Sequence, residues 1–189
     1  MPRKTDRRVL YTKQTLKNAL TELLRDKHIS AITVTSICEL ADVNRSTFYL
    51  HYRDQFDLLQ SMEREVFSTL EQELSELGYL DENELKTYEV IVRILEYVKA
   101  NAEICTALLS ENSDFSFRKE ILEMARLFNF RMDPSYSEET REHLVLYSIN
   151  GAVAMVERWI RDGAHEDPAA MASLTLQCIY YGMSSFAPK

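Results

Sequence analysis

The chain has 189 residues, a net charge of −8, 46% hydrophobic residues and only four Gly and four Pro. Few breakers among many Leu, Glu, Ala and Met select an all-helical protein, and no apolar run approaches the roughly 18–20 residues of a membrane span. The three cysteines, Cys38, Cys105 and Cys178, are far apart and odd in number, which argues against a disulfide framework and for a reducing cytoplasm.

The N-terminus is basic but lacks an apolar stretch and a small-residue cleavage site, so it does not read as a secretory signal. Arg3, Lys4, Arg7 and Arg8 are expected to form a flexible arm. A first helix is predicted from about Thr12 to Lys27, with Thr12 or Thr15 as its cap and Leu16, Ala19, Leu20, Leu23 and Leu24 as one apolar stripe. A second helix opens at Thr33, with Ile37, Leu40 and Ala41 inward. Asp42-Val43-Asn44 makes a turn, and Asn44 caps a third helix over roughly Arg45 to His51, anchored by Val43 and Phe48. Asp54 caps a long fourth helix from about Gln55 to Leu77, whose apolar face carries Phe56, Leu59, Met62, Val66, Phe67, Leu70 and Leu74 around Glu63. Gly78 marks its stop. Further helices are expected at about 84–100, 103–110 and 114–131. Two better-marked ones follow, from Ser137 to Asp162 and from the Asp167-Pro168 start to about Ser185.

Charge is not spread evenly. Residues 1–55 hold ten Lys and Arg against six Asp and Glu, a balance of +4; residues 56–189 hold twelve against twenty-four, a balance of −12. A basic end on an acidic body orients the approach to a polyanion.

Residues 33–52 combine two short helices, a tight turn and aromatic and polar residues suited to a phosphate backbone. A helix that enters the major groove needs small or polar outward residues and a firm inward anchor. Asn44, Arg45, Ser46, Thr47 and Tyr49 can face outward while Phe48 stays in, and Arg45 suits a paired contact with guanine. Thr35 lies close enough to help. Thr33, Tyr49, His51 and Tyr52 are better placed for phosphates, which hold register and carry little sequence information. An ordinary helical hairpin with a tyrosine-rich surface is the competing reading.

The run Ile32 to Tyr52 resembles the N-terminal domain of the tetracycline-repressor (TetR) family of bacterial regulators. The shared features are a Thr opening the second helix, the spacing of the turn, a Tyr ending the recognition helix and an aromatic just beyond. The resemblance covers about residues 10–60. It implies phosphate contacts for Thr33, Tyr49 and His51, and base-edge contacts, or contacts to the backbone beside them, for Thr35, Asn44, Arg45 and Ser46. Asp42 stands where the family usually has Gly, and Gln55 where it usually has a phosphate-binding Lys. Residues 147–163 also resemble one C-terminal subgroup of the family.

The implied architecture is all-α: a three-helix DNA-binding domain over residues 1–55, joined by a long helix to a helical dimerisation and ligand-binding domain over residues 56–189. Gly151, Ala152 and Ala154 permit close helix approach, and Met155, Trp159, Ile160, Leu174, Cys178 and Tyr181 supply apolar area. Of these, Gly151, Ala152, Met155, Trp159, Leu174, Cys178 and Tyr181 are the candidate dimer interface, with an intramolecular core as the alternative. Tyr88, Tyr97, Phe115, Phe128, Phe130, Tyr136, His143, Tyr147 and Asn150 mix aromatic walls with polar tips, as a small-molecule site does and as many cores do.

His28, His51, His143 and His165 lie in no metal-ligand spacing, and no phosphate loop, nucleophile elbow or Cys-x-x-Cys is present, so no catalytic residue, metal or cofactor is expected. The expected function is a dimeric transcription regulator of the cytoplasm, a repressor that binds a palindromic double-stranded DNA operator and is released by an unidentified small-molecule effector, with no membrane association. The alternative is a protein-interaction adaptor, or a partner-controlled activator, that keeps the fold.

Overall fold

A computed structural model describes residues 4–76, 84–125 and 135–182. Among the described residues there are nine α-helices and no strand: α1 Lys4–Leu23, α2 Val34–Ala41, α3 Arg45–Tyr49, α4 Gln55–Glu76, α5 Glu84–Ala100, α6 Ala102–Leu109, α7 Ser116–Ala125, α8 Glu138–Arg161 and α9 Pro168–Tyr181. A single 3-10 turn, Ile29–Ala31, lies between α1 and α2. None of these helices is long and apolar enough to cross a membrane. The chain forms two compact units, one built from the sequence through Thr69 together with Glu103–Phe117, the other from Leu70–Ala102 and the sequence from Arg118 on.

The first unit begins with a difference from expectation. Helix α1 starts at Lys4, eight residues before Thr12, so Lys4, Arg7 and Arg8 lie on a helix instead of a flexible arm; Arg3 is outside the described residues. After Pro2 the sequence holds no Gly or Pro until Gly78, so no breaker stops the helix propagating back toward its basic end. Thr15 is therefore interior to α1, and its hydroxyl donates to the Tyr11 carbonyl at 2.9 Å. The predicted stripe is otherwise in place: Leu16, Ala19, Leu20 and Leu24 are buried.

Helix α4 is capped as its sequence indicates. The Asp57 N–H donates to Asp54 Oδ1 at 2.9 Å, and Asp57 Oδ2 in turn accepts the Arg53 N–H at 2.9 Å. Leu58, Leu59, Met62, Val66, Phe67 and Leu70 are buried, while Phe56 is exposed. Glu63 on this face is buried as well and accepts a hydrogen bond from Ser116 Oγ at 2.8 Å, which satisfies part of the cost of enclosing a carboxylate. Lys17 of α1 is buried against Glu65 in an ion pair.

The same unit is closed by a segment from far along the chain. The Asn112 carbonyl accepts the Ile29 N–H at 2.8 Å, and Asn112 Nδ2 donates to the Leu24 carbonyl at 2.9 Å. Phe117 packs against Phe67 with ring centroids 4.9 Å apart and planes tilted by 47°. Asn112 thus supplies backbone partners at the α1 exit, where helix carbonyls lose theirs.

In the second unit α5 packs against α9 and α8, and α8 against α9. Helix α8 is capped by Ser137, whose side chain accepts the Thr140 N–H, and ends at Asp162 before Gly163 at φ 96°. Helix α9 is capped by Asp167 with Pro168 in its first position. The expected continuation of the 114–131 helix past Ala125, the stop at Gly78 and the last residues up to Ser185 lie outside the described residues. All three cysteines are free thiols. Burial pushes Cys105 up to about 12, which keeps it protonated and unreactive at neutral pH.

Candidate nucleic-acid interface

Two short helices and the turn between them are held by side-chain caps. Thr33 caps α2: its hydroxyl accepts the Ser36 N–H at 3.1 Å, and Ser36 Oγ accepts the Thr33 N–H at 3.2 Å. This is a capping box with Ser in the place usually taken by Glu or Gln. Ser36 was not singled out in the sequence, although its three-residue spacing from Thr33 is the signal. The turn passes through Asp42 in the left-handed region, φ 51° and ψ 44°, where its N–H reaches the Cys38 and Glu39 carbonyls. Asp adopts that region more readily than most L-residues, so the turn closes without the usual Gly.

Asn44 then caps α3. Its Oδ1 accepts both the Ser46 N–H and Ser46 Oγ, each at 3.0 Å. Phe48 is wholly buried, and Val43 is half-buried with its N–H on the Cys38 carbonyl at 3.0 Å. The inward residues of α2 are Ile37, Cys38 and Ala41, while Leu40 is 44% exposed, contrary to expectation. On a helical wheel positions 37, 38 and 41 share one arc, and position 40 falls at its edge.

The outward set is mostly where the sequence placed it. Thr33, Thr35, Asn44, Arg45, Ser46 and Tyr49 are exposed, and Thr47 and His51 are half-buried. Tyr52 is the correction: it is 5% exposed, its ring centroid is 5.7 Å from that of Phe48, and burial pushes its phenol pKa up. It lies one turn beyond Phe48 on the inward side and serves the core, not a phosphate. Arg45 lies open to solvent, and its pKa is raised, first by the neighbouring Tyr49 phenol.

On the second unit Gly151, Leu174 and Tyr181 are exposed and Ala152, Met155 and Cys178 are half-buried. A Cβ built on Gly151 meets nothing within 4 Å. Trp159 is 4% exposed and fills its own unit, with Lys99 Nζ 5.8 Å from its ring centroid. Of the aromatic set, Tyr88, Tyr136, His143 and Tyr147 are exposed in this unit, Tyr97 and Asn150 are half-buried, and Phe115 is exposed in the first unit. Phe128 and Phe130 lie outside the described residues. Among the described residues no group of His, Cys, Asp and Glu is arranged to hold a metal ion.

Comparison with known proteins places this geometry. Residues 86–181 match a family model described as a transcriptional regulator C-terminal region. The chain is 30% identical over 164 residues to YxbF of Bacillus subtilis (strain 168), named as an uncharacterized HTH-type transcriptional regulator. That match covers 83% of this chain and 42% of YxbF, so the chain spans less than half of the relative's length. Among solved structures, the fatty acid degradation regulator FadR from Bacillus halodurans is similar with a TM-score of 0.65 at 14% identity, over 91% of this chain and 96% of that one. NalD from Pseudomonas aeruginosa, the secondary repressor of the MexAB-OprM multidrug efflux pump, is similar with a TM-score of 0.62 at 20% identity, over 92% and 97%.

The left-handed turn gives a direct test of the local architecture. Asp42→Val should lower stability by about 1–2 kcal/mol, because a β-branched side chain resists positive φ, while Asp42→Gly should hold or raise it. Urea denaturation followed by circular dichroism measures both, and equal losses would show that the turn does not depend on this conformation.

Proposed function

The chain belongs to the TetR family of transcriptional regulators, the family whose C-terminal region matches just over half of it, and we propose that it acts as a dimeric repressor that binds a palindromic DNA operator and leaves it when a small molecule binds the body. The observation that carries this reading is the capped pair α2 and α3, with Phe48 buried beneath and Arg45, Ser46 and Tyr49 exposed. A helix held this way presents one face to a major groove. In this reading residues 1–55 bind DNA and residues 56–189 regulate and dimerise. Arg45 contacts base edges with help from Thr35, and Thr33, Thr47 and His51 face the backbone. Asn44 and Ser46 support α3 through the cap and approach the same groove edge.

Dimerisation uses the exposed side of α8 and α9: Gly151, Ala152, Met155, Leu174, Cys178 and Tyr181. Leu144, Tyr147 and Tyr180 extend the same exposed apolar surface. Exposed large apolar side chains on two neighbouring helices support an interface here, and a two-fold pairing would present two recognition helices to half-sites roughly 34–36 Å apart. The charge division supports an approach to DNA with the basic end, and the three free thiols support a reducing cytoplasm. An adaptor that keeps the fold is the second reading, and Gln55, in place of a phosphate-binding Lys, is the feature behind it.

Selection of bound fragments from the source genome tests the proposal as a whole. A short set of related sequences should emerge, with affinity falling by about a thousandfold or more between 50 and 200 mM salt; absence of salt-sensitive binding to any fragment, with a protein partner captured instead, would favour the adaptor. Arg45→Ala should lose about 1–3 kcal/mol of discrimination at one base pair of each half-site, read by competition binding against single-base variants. Gly151→Glu should leave the helical content unchanged, since its own chain leaves the side chain room, yet shift the protein to monomer in analytical ultracentrifugation. A dimer that survives this change would place the interface elsewhere.

A further inference from the structure

Burial follows a four-residue period around α3. Phe48 and Tyr52 are buried and Thr47 and His51 half-buried, while Arg45, Ser46, Tyr49 and Leu50 are exposed. The aliphatic member of the exposed set is Leu50, at the end of the helix. It is 78% exposed, whereas Leu16, Leu20, Leu24, Leu58 and Leu59 of the same unit are wholly buried. Its backbone keeps helical angles, φ −72° and ψ −21°, and its N–H donates to the Thr47 carbonyl at 3.3 Å. Two helical residues turn the chain by about 200°, so Leu50 points away from the buried Phe48 ring. Ser46, two residues before Phe48, does the same and shares a face with Leu50. Its hydroxyl is engaged by Asn44 Oδ1 at 3.0 Å, and its side chain is the smaller, so the leucine projects further.

A leucine cannot hydrogen-bond to a base edge or a phosphate. The apolar group that the major groove presents is the thymine C5-methyl. Over a cytosine amine or a guanine O6, the leucine would remove water from a polar group and return nothing. Over a methyl group, two apolar surfaces leave water together. Residues 43–53 hold Arg45 and Arg53 and no carboxylate, which suits a polyanion better than an apolar protein surface. We propose that Leu50 is a specificity-determining residue: its side chain packs on the C5-methyl of one thymine in each half-site, close to the base pair that Arg45 reads. The proposal rests on the DNA-binding reading above and adds an apolar contact to its polar ones.

The test uses full-length wild type and Leu50→Ala with the site that wild type selects from genomic fragments. Each thymine of that site is replaced in turn by deoxyuridine, which removes the methyl group and leaves every hydrogen-bonding group in place. Leu50 is exposed, so its truncation should leave the fold intact, which a thermal melt checks. Wild type should lose about three- to fivefold in affinity at one thymine position of each half-site, as expected for one methyl group returned to water. Leu50→Ala should bind the unmodified site more weakly by a similar factor and lose nothing further from deoxyuridine at that position. Its salt slope should equal that of wild type, because no charge has changed. If Leu50→Ala is as sensitive to deoxyuridine as wild type at every position, or wild type is sensitive at none, the proposal falls. It falls equally if wild type and Leu50→Ala bind all these duplexes alike while a protein partner is captured by wild type only. A wild type that selects no sequence overturns the operator reading, and this proposal with it; a wild type that selects a site with no Leu50-dependent thymine overturns this proposal alone.

Discussion

The reading face depends on the burial of one ring. Helix α3 has five residues, too few to hold together by its own hydrogen bonds, because nucleating a turn costs more than so short a helix returns. Phe48, wholly buried, fastens it to the unit, and Tyr52 packs beside Phe48 one turn on. With that side fixed inward, Ser46 stands nearly opposite and Arg45 and Tyr49 lie to one flank, all three exposed. The Asn44 cap and the left-handed Asp42 then set where the helix begins and how it leaves α2. Removing any of these supports would leave the outward residues chemically unchanged but without a common orientation.

Features that act locally were legible in the sequence. Thr33, Asn44, Asp54 and Asp167 are each expected as caps, and each accepts a backbone N–H within the next three residues. Such a cap needs only its own segment. The threonines at 12 and 15 have the chemistry of caps but lie inside α1, which runs back through both to Lys4. Leu40 and Tyr52 were assigned to the wrong sides because hydrophobicity and a phenol group suggest opposite preferences from those their helical positions impose. For Trp159 the small-residue pattern beside it leaves a dimer interface and an intramolecular core both open, and its environment is set by α5, which lies more than fifty residues earlier. The attachment of Glu103–Phe117 to the first unit had no local sign at all. It rests on Asn112 meeting Leu24 and Ile29, and on Phe117 meeting Phe67, pairings that only the folded chain brings together.

The folded chain also refines the division of charge. Counted along the sequence, residues 1–55 carry an excess of four positive charges. Three of the ten cations in that stretch pair with carboxylates from beyond it: Lys17 with Glu65, Arg25 with Glu103 and Arg53 with Asp57. The buried Lys17 pair is structural, since a lysine enclosed without a partner would be costly. The Arg25 pair is exposed at the arginine and at the glutamate, where water screens it and its contribution is small. The positive field is therefore less uniform than the count suggests, and more of it rests on particular residues. Arg7 and Arg8 supply it on the helical beginning of α1, and Arg45 supplies it on α3. A general excess of charge attracts DNA of any sequence. In the proposed reading, a single exposed arginine on α3 is suited to distinguish one sequence from another.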